Sequence, residues 1–346
     1  VTRVVGDSRW AESFETVYAT SGMALKPIAD ASLVDLPDGA ALRVGALPAA
    51  ENFILLREGD RLEVTADPSP GRPELRDAAG CVVERGVISC SLPEVFAFVK
   101  SGERIWFDDG KIGGVIRRAD RARWDVEIVR APPGGAKLRS DKGINLPDSD
   151  LRLPALTAKD RADLDFVAAH ADLVGYSFVH SVDDVIELQR LLAERRPEPP
   201  GIVLKIETRL AFEKLPDLLL AAMRSPIAGV MIARGDLGVE CGFERLAEVQ
   251  EEILWICEAA HVPVIWATQV LESLAKSGMP SRAEVTDAAM GVRAECVMLN
   301  KGPYIVEAVQ TLDDILRRME EHQNKKSPTL RPLGVAKSFT ASTPSG

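Results

Sequence analysis

The sequence predicts an α/β fold of the barrel kind, parallel strands alternating with helices, with a β-rich insertion. The first observation is a pair of short apolar runs with polar ends. Gly201-Ile202-Val203-Leu204 closes on Lys205-Ile206-Glu207, and Gly229-Val230-Met231-Ile232 closes on Ala233-Arg234-Gly235-Asp236. Short, β-branched and followed by amphipathic segments, both runs have the pattern of buried parallel strands. The second is recurrence: similar runs stand at about 172–179, 262–268 and 296–302, with helices between. The third is a change of texture before residue 142, where this rhythm is lost. In a (β/α) barrel the carboxyl ends of the strands form the reactive face. One cation and two carboxylates on adjacent ends can hold a divalent metal and neutralise a phosphoryl group, which is the arrangement of an enzyme.

The chain opens on Val1, the mark of a fragment or of a misplaced start, and enters a strand-like Val1-Thr2-Arg3-Val4-Val5. A helix is expected over about 7–23 and a strand at Ser32-Leu33-Val34-Asp35-Leu36. From about 43 to 141 the pattern is β. Residues Ile54 to Val64 predict strand, turn, strand; Arg104 to Ile112 predicts a hairpin about Asp109-Gly110; Trp124 to Val129 alternates like a half-exposed strand. The βα rhythm resumes after Gly143. A helix over about 243–260 carries Leu246, Val249, Ile253, Ile256, Cys257 and Ala260 on one face, a stripe suited to packing on a sheet. From about 323 a polar tail is expected to be disordered.

Composition narrows the function classes. Hydrophobic residues make up 46% of the 346, enough for a sizeable core. A net charge of −10 argues against a nucleic-acid partner, because phosphate backbones are bound by basic patches. An acidic protein with an anionic substrate must concentrate positive charge locally, which raises the interest of Lys205. Five cysteines (Cys81, Cys90, Cys241, Cys257, Cys296) are odd in number and lack zinc-finger spacing. They read as reduced core thiols of a cytosolic protein, with Cys257 and Cys296 in apolar surroundings. Without an apolar run near 18 residues or a signal peptide, a cytoplasmic protein with no membrane partner is expected.

Five strings, in order, resemble the pyruvate kinase family. They are Lys142-Gly143-Ile144-Asn145-Leu146-Pro147, Leu204-Lys205-Ile206-Glu207, Met231 to Glu240 (Met-Ile-Ala-Arg-Gly-Asp-Leu-Gly-Val-Glu), Pro263 to Ser273 (Pro-Val-Ile-Trp-Ala-Thr-Gln-Val-Leu-Glu-Ser) and Ser281-Arg282-Ala283-Glu284. The resemblance implies a (β/α)8 TIM barrel, here without its first βα unit, interrupted after the third strand by a mobile β-rich lid. It divides the chain into barrel (1–42), lid (43–141), barrel (142–322) and tail (323–346), without the usual regulatory domain. The lid is expected to close over nucleotide, with Asp108 or Asp109 reaching the barrel face.

The implied chemistry is phosphoryl transfer from phosphoenolpyruvate to ADP, giving ATP and pyruvate, in a homo-oligomer. Lys205 matches the lysine that neutralises the transferring group. Glu207 and Asp236 match the Mg2+ ligands, and magnesium suits a couple of carboxylates completed by substrate oxygens. Ala233, Arg234 and Gly235, with Asp236, match the segment whose backbone N–H groups receive the substrate carboxylate at a helix start. Thr268 matches the threonine beside the enolate, placed for proton delivery. Arg43 matches a phosphate-contacting arginine at the lid hinge, and Arg3 an arginine of the second strand that contacts the phosphoryl group. His180 stands where the family often carries a basic residue, a phosphate contact or simply a surface histidine. Other family features are eroded. The asparagine and serine expected after Arg3 fall near Val5 and Asp7, and the usual Asp-Thr-Lys-Gly-Pro-Glu is loosened around Asp35, so a K+ site is in doubt. Asn300-Lys301-Gly302-Pro303 stands where Ser-Gly-Glu-Thr is usual. A non-catalytic family member that binds a metabolite or partner is the alternative, and a different phosphoenolpyruvate-type lyase or aldolase the weaker third.

Overall fold

A computed structural model describes residues 3–5, 8–10, 24–25, 42–43, 53–77, 79–151 and 153–323, with side chains described at 53–77, 79–151 and 153–319. The chain divides into two compact units, Val1–Phe53 and Ile54–Gly346. In the first, Arg3–Val5 pairs antiparallel with Ser8–Trp10, and Ala24–Leu25 pairs antiparallel with Leu42–Arg43. The helix expected from about residue 7 is thus replaced at Ser8–Trp10 by a strand, in which Trp10 lies opposite Arg3. Cross-strand pairing outweighs the helical pattern there, and the valines and tryptophan favour extended backbone. The remainder of that helix, the strand at 32–36 and the tail from 324 lie outside the described residues.

The second unit begins as a β domain. Its six-stranded sheet runs in the order Ile144–Asn145, Arg104–Phe107, Ile112–Ala119, Arg123–Arg130, Arg61–Thr65, Gly86–Ser89. The hairpin read at Asp109-Gly110 is present, with Phe107 opposite Ile112 and Trp106 opposite Gly113. A side chain at Gly113 would meet the Trp106 ring at 2.6 Å, so the indole occupies the space that glycine leaves. Arg123–Arg130 alternates as expected, with Trp124, Val126 and Ile128 fully buried. Trp124 stacks on Phe96, ring centroids 4.1 Å apart. These residues form one hydrophobic cluster with Leu62, Ile105, Phe107, Ile112 and Ile116, distinct from that of the following βα part.

From Ala158 the chain alternates helix and strand. Five parallel strands, Leu173–Tyr176, Gly201–Ile206, Ala228–Ala233, Val264–Ala267 and Cys296–Val297, lie side by side in chain order. Each new strand adds to the same edge, which is how a barrel wall grows; a doubly wound sheet reverses its order. Helix starts are set locally. Thr157 with Asp160, Ser181 with Asp184 and Ser281 with Glu284 each form a reciprocal capping box. The string Ser281-Arg282-Ala283-Glu284 is therefore a helix-start device. The stripe expected on 243–260 is carried by Leu246–Ala259, preceded by a 3-10 turn at Phe243–Arg245; Val249, Ile253 and Cys257 are buried on the sheet.

Two expectations need correction. The strand expected over 229–235 ends at Ala233 and a helix, Arg234–Cys241, begins at once, so Gly235 and Asp236 are helical. Of the cysteines, all free, Cys257 is buried while Cys296 and Cys81 are exposed, so the set is not a group of core thiols. Cys296 sits on the last parallel strand, which among the described residues has one neighbour, Val264–Ala267. Among the described residues no helix is long and apolar enough to cross a membrane.

Candidate active site

The carboxyl ends of three neighbouring parallel strands bring the expected residues together. Strand periodicity puts Lys205 and Glu207 on the same side. Lys205 Nζ lies 2.7 Å from Glu207 Oε1 and donates to Ser177 Oγ at 2.8 Å. Glu207 is 3% exposed. Its other oxygen, Oε2, accepts the Phe178 N–H at 2.6 Å. A buried carboxylate is tolerable only when paired and hydrogen-bonded, and here one oxygen meets an ammonium and the other a backbone donor. Phe178 adopts a positive φ of 49° to present that N–H.

On the next strand, in register with Ile206, Ile232 leads to Ala233 and the helix start. This helix gets no side-chain bond from its own preceding residue, Ala233. Its Gly235 N–H donates instead to Thr268 Oγ1 at 2.9 Å. A methyl at Gly235 would meet only that hydroxyl, at 3.8 Å, so packing leaves open space there. Asp236 Oδ1 accepts from Asn145 Nδ2 at 3.2 Å, which ties this carboxylate to the edge strand of the β domain. The tip of the β hairpin meets the same helix, Gly110 lying against Val239 and Phe243.

The expectation for Arg234 concerned its backbone N–H at the helix start; its side chain is engaged by protein groups. It is 5% exposed, and Nε donates to the Ala267 carbonyl at 2.9 Å. Its other nitrogens meet the Thr268 carbonyl and the Asp287 carboxylate, and Cζ lies 4.7 Å from the Trp266 ring centre. Thr268 itself has φ +64°, an outlier for a β-branched residue. The side chains of Arg3 and Arg43 lie outside the described ones, so their expected phosphate contacts are not placed. His180 is half-buried rather than a surface residue; burial lowers its pKa, and Nδ1 has no hydrogen-bond partner. Burial raises the pKa of Asp108, but bonds to Lys111 and Lys142 more than offset it and hold the carboxyl below its usual range. Both lysines lie 2.9 Å away, so that carboxylate is engaged within the β domain and its hinge.

Glu240, one helical turn after Asp236, was given no role by the sequence. Burial pushes its carboxyl up to about 7; the Arg209 N–H pulls down, the Asp236 charge pushes up, and Asn145 and the Arg209 charge pull down again. A raised carboxyl destabilises the fold where it must ionise. Below its unfolded value both states hold the proton; between that value and about 7 only the folded state does, so stability falls as pH rises through this window. Glu240→Gln should therefore match the wild type in thermal denaturation at pH 4, below the window. At pH 8 it should be more stable by roughly 2 kcal/mol; equal curves at both pH values would refute this. Asn145, Ser177, Asp287 and Glu240 escaped sequence reasoning. Polar residues in apolar runs, such as Asn145 between Ile144 and Leu146, were the available signal.

Among the described residues no group of three or more His, Cys, Asp or Glu side chains could hold a metal ion. The two strand-end carboxylates, Glu207 and Asp236, are hard oxygen donors. Magnesium commonly takes one or two carboxylates and completes its shell with water and substrate phosphate, so the donor set fits.

Fold and site together define a TIM-type (β/α) barrel protein with a β-rich insertion, with Lys205, Glu207, Asp236 and Thr268 at or just after the carboxyl ends of neighbouring parallel strands. The family model "Pyruvate kinase, barrel domain" matches residues 14–309. The chain belongs to the pyruvate kinase family. It is 33% identical to a pyruvate kinase of Thermococcus litoralis over 320 residues, 90% of this chain and 62% of that protein. It is 32% identical to one of Methylorubrum extorquens over 316 residues, 89% and 60% respectively. With a Geobacillus stearothermophilus pyruvate kinase it shares 34% identity over 275 residues, 78% and 44%. The chain thus spans about half the length of the curated relatives it matches, from 44% to 62%.

Proposed function

We propose that this protein transfers the phosphoryl group of phosphoenolpyruvate to ADP and protonates the resulting enolate, giving ATP and pyruvate. The observation that carries the reading is Lys205, preorganised between Glu207 and Ser177 at a strand end whose neighbour leads to Asp236. In this reaction the bond between phosphorus and the enol oxygen breaks. A β-phosphate oxygen of ADP takes the phosphoryl group, and the enolate methylene carbon takes a proton.

Such transfer is accelerated mainly by positioning and by charge aimed at the transferring group. Lys205 supplies the cation, already held in place by two bonds. Glu207 and Asp236 would hold Mg2+, which when bound adds positive charge against the phosphoryl oxygens. The start of helix Arg234–Cys241, where Thr268 Oγ1 already holds the Gly235 N–H, would receive the substrate carboxylate on its remaining N–H groups. Thr268 bonds that same turn, so one hydroxyl links carboxylate binding to proton delivery. Arg3 and Arg43 enter as phosphate contacts on the resemblance alone.

A lactate-dehydrogenase-coupled assay tests the reading: ADP-dependent pyruvate formation is expected from phosphoenolpyruvate and Mg2+. Its absence at high protein concentration would favour the non-catalytic alternative. Because the potassium pattern is eroded, replacing K+ by a bulky organic cation should leave the rate within about twofold. A drop near a hundredfold, ~2.7 kcal/mol of barrier, would show that a potassium site persists.

A further inference from the structure

Three residues after the fourth parallel strand hold backbone angles that L-residues avoid. Thr268, Gln269 and Leu271 have φ of +64°, +56° and +46°. None is glycine, and each such residue costs on the order of 1–3 kcal/mol unless its surroundings over-determine it. At Thr268 those surroundings are visible. Arg234 binds the Ala267 carbonyl through Nε and the Thr268 carbonyl through a terminal nitrogen. The next amide, Gly235 N–H, binds the Thr268 hydroxyl. Residues 234 and 235 therefore grip the backbone on both sides of Thr268 and its side chain. The guanidinium is itself fixed, over the Trp266 ring and against Asp287.

We infer that Arg234 is a positioning residue: its guanidinium clamps the turn after the fourth parallel strand and thereby aims the Thr268 hydroxyl at the reacting carbon. The inference rests on the phosphoryl-transfer reading, and it gives this arginine work other than meeting substrate charge. At 5% exposure it engages each of its three guanidinium nitrogens in a bond to protein. The planar fork matters. A lysine carries the charge but cannot reach two successive carbonyls and a carboxylate from one rigid plane.

A double-mutant cycle on the full chain tests this, with steady-state kinetics in phosphoenolpyruvate, ADP and Mg2+. Arg234→Lys should lower kcat at least about tenfold while the KM for phosphoenolpyruvate stays within about twofold. In a Thr268→Ala background the same substitution should change kcat less than about twofold, since a residue that acts through Thr268 has nothing left to aim. An equal loss in both backgrounds, an unchanged kcat in Arg234→Lys, or a KM rise that accounts for the whole effect would overturn the inference. Should Arg234→Lys not fold, Asp287→Asn removes the lateral anchor and enters the same cycle with the same criteria. A wild-type protein without turnover would strike the proposed reaction and not the clamp. The clamp is then read from the crystal structure of the folded variant. Thr268 returning to negative φ supports it, and an unchanged positive φ overturns it.

Discussion

Lys205→Met is expected to lower kcat by roughly 10³-fold or more, ~4 kcal/mol of barrier, while the KM for phosphoenolpyruvate changes a few-fold at most. A cation that acts on charge developing in the transition state affects turnover more than affinity. The side chain also has a structural duty, because its ammonium is the counter-ion of the buried Glu207. Removing it leaves an unpaired buried carboxylate, which costs several kcal/mol of stability. The two roles separate in the double variant Lys205→Met/Glu207→Gln. The second substitution restores neutrality, and its amide oxygen can still accept the Phe178 N–H. Thermal stability should recover most of its loss; turnover is read in the single variant, because Glu207→Gln also removes a proposed Mg2+ ligand. A single variant that keeps a tenth of wild-type kcat would remove Lys205 from the reaction.

Trp124→Ala carries the largest expected effect on stability, ~4 kcal/mol. The indole is fully buried and stacked on Phe96 at the centre of the β domain's cluster. Its ring N–H has no hydrogen-bond partner, so Trp124→Phe loses no bond and should cost less than half as much. The β domain and the βα part have separate hydrophobic clusters, so the loss should be confined to the former. Urea denaturation with hydrogen exchange read segment by segment should show 54–146 opening at lower urea and 201–267 unchanged. Equal loss of protection in both would mean that the two cores unfold as one.

What the sequence determined by itself was local or periodic. The alternation in Arg123–Arg130, the hairpin at Asp109-Gly110, the capping boxes and the βα rhythm depend on residues a few positions apart. The same-side placement of Lys205 and Glu207 follows from the two-residue repeat of a strand, and their 2.7 Å pair bears it out. The family strings added the identity of the strand ends. The placement of Asp236 on a helix, rather than at the end of a longer strand, depended on where the parallel ladder stopped, at Ala233.

Only the tertiary structure decided the partnerships between strand ends. Asn145 reaches Asp236 across 91 residues, Gly235 reaches Thr268 across 33, and Arg234 reaches Asp287 across 53. No sequence period links such positions; the register of the parallel sheet and the docking of the β domain's edge strand bring them together. Arg234 is the clearest case. The family match gave it only a backbone N–H toward a substrate carboxylate, and the fold places its guanidinium over Trp266 and onto the Thr268 turn. Burial likewise raised Glu240, which no local pattern marked, because desolvation depends on what surrounds a carboxyl in space and not on its neighbours in the chain.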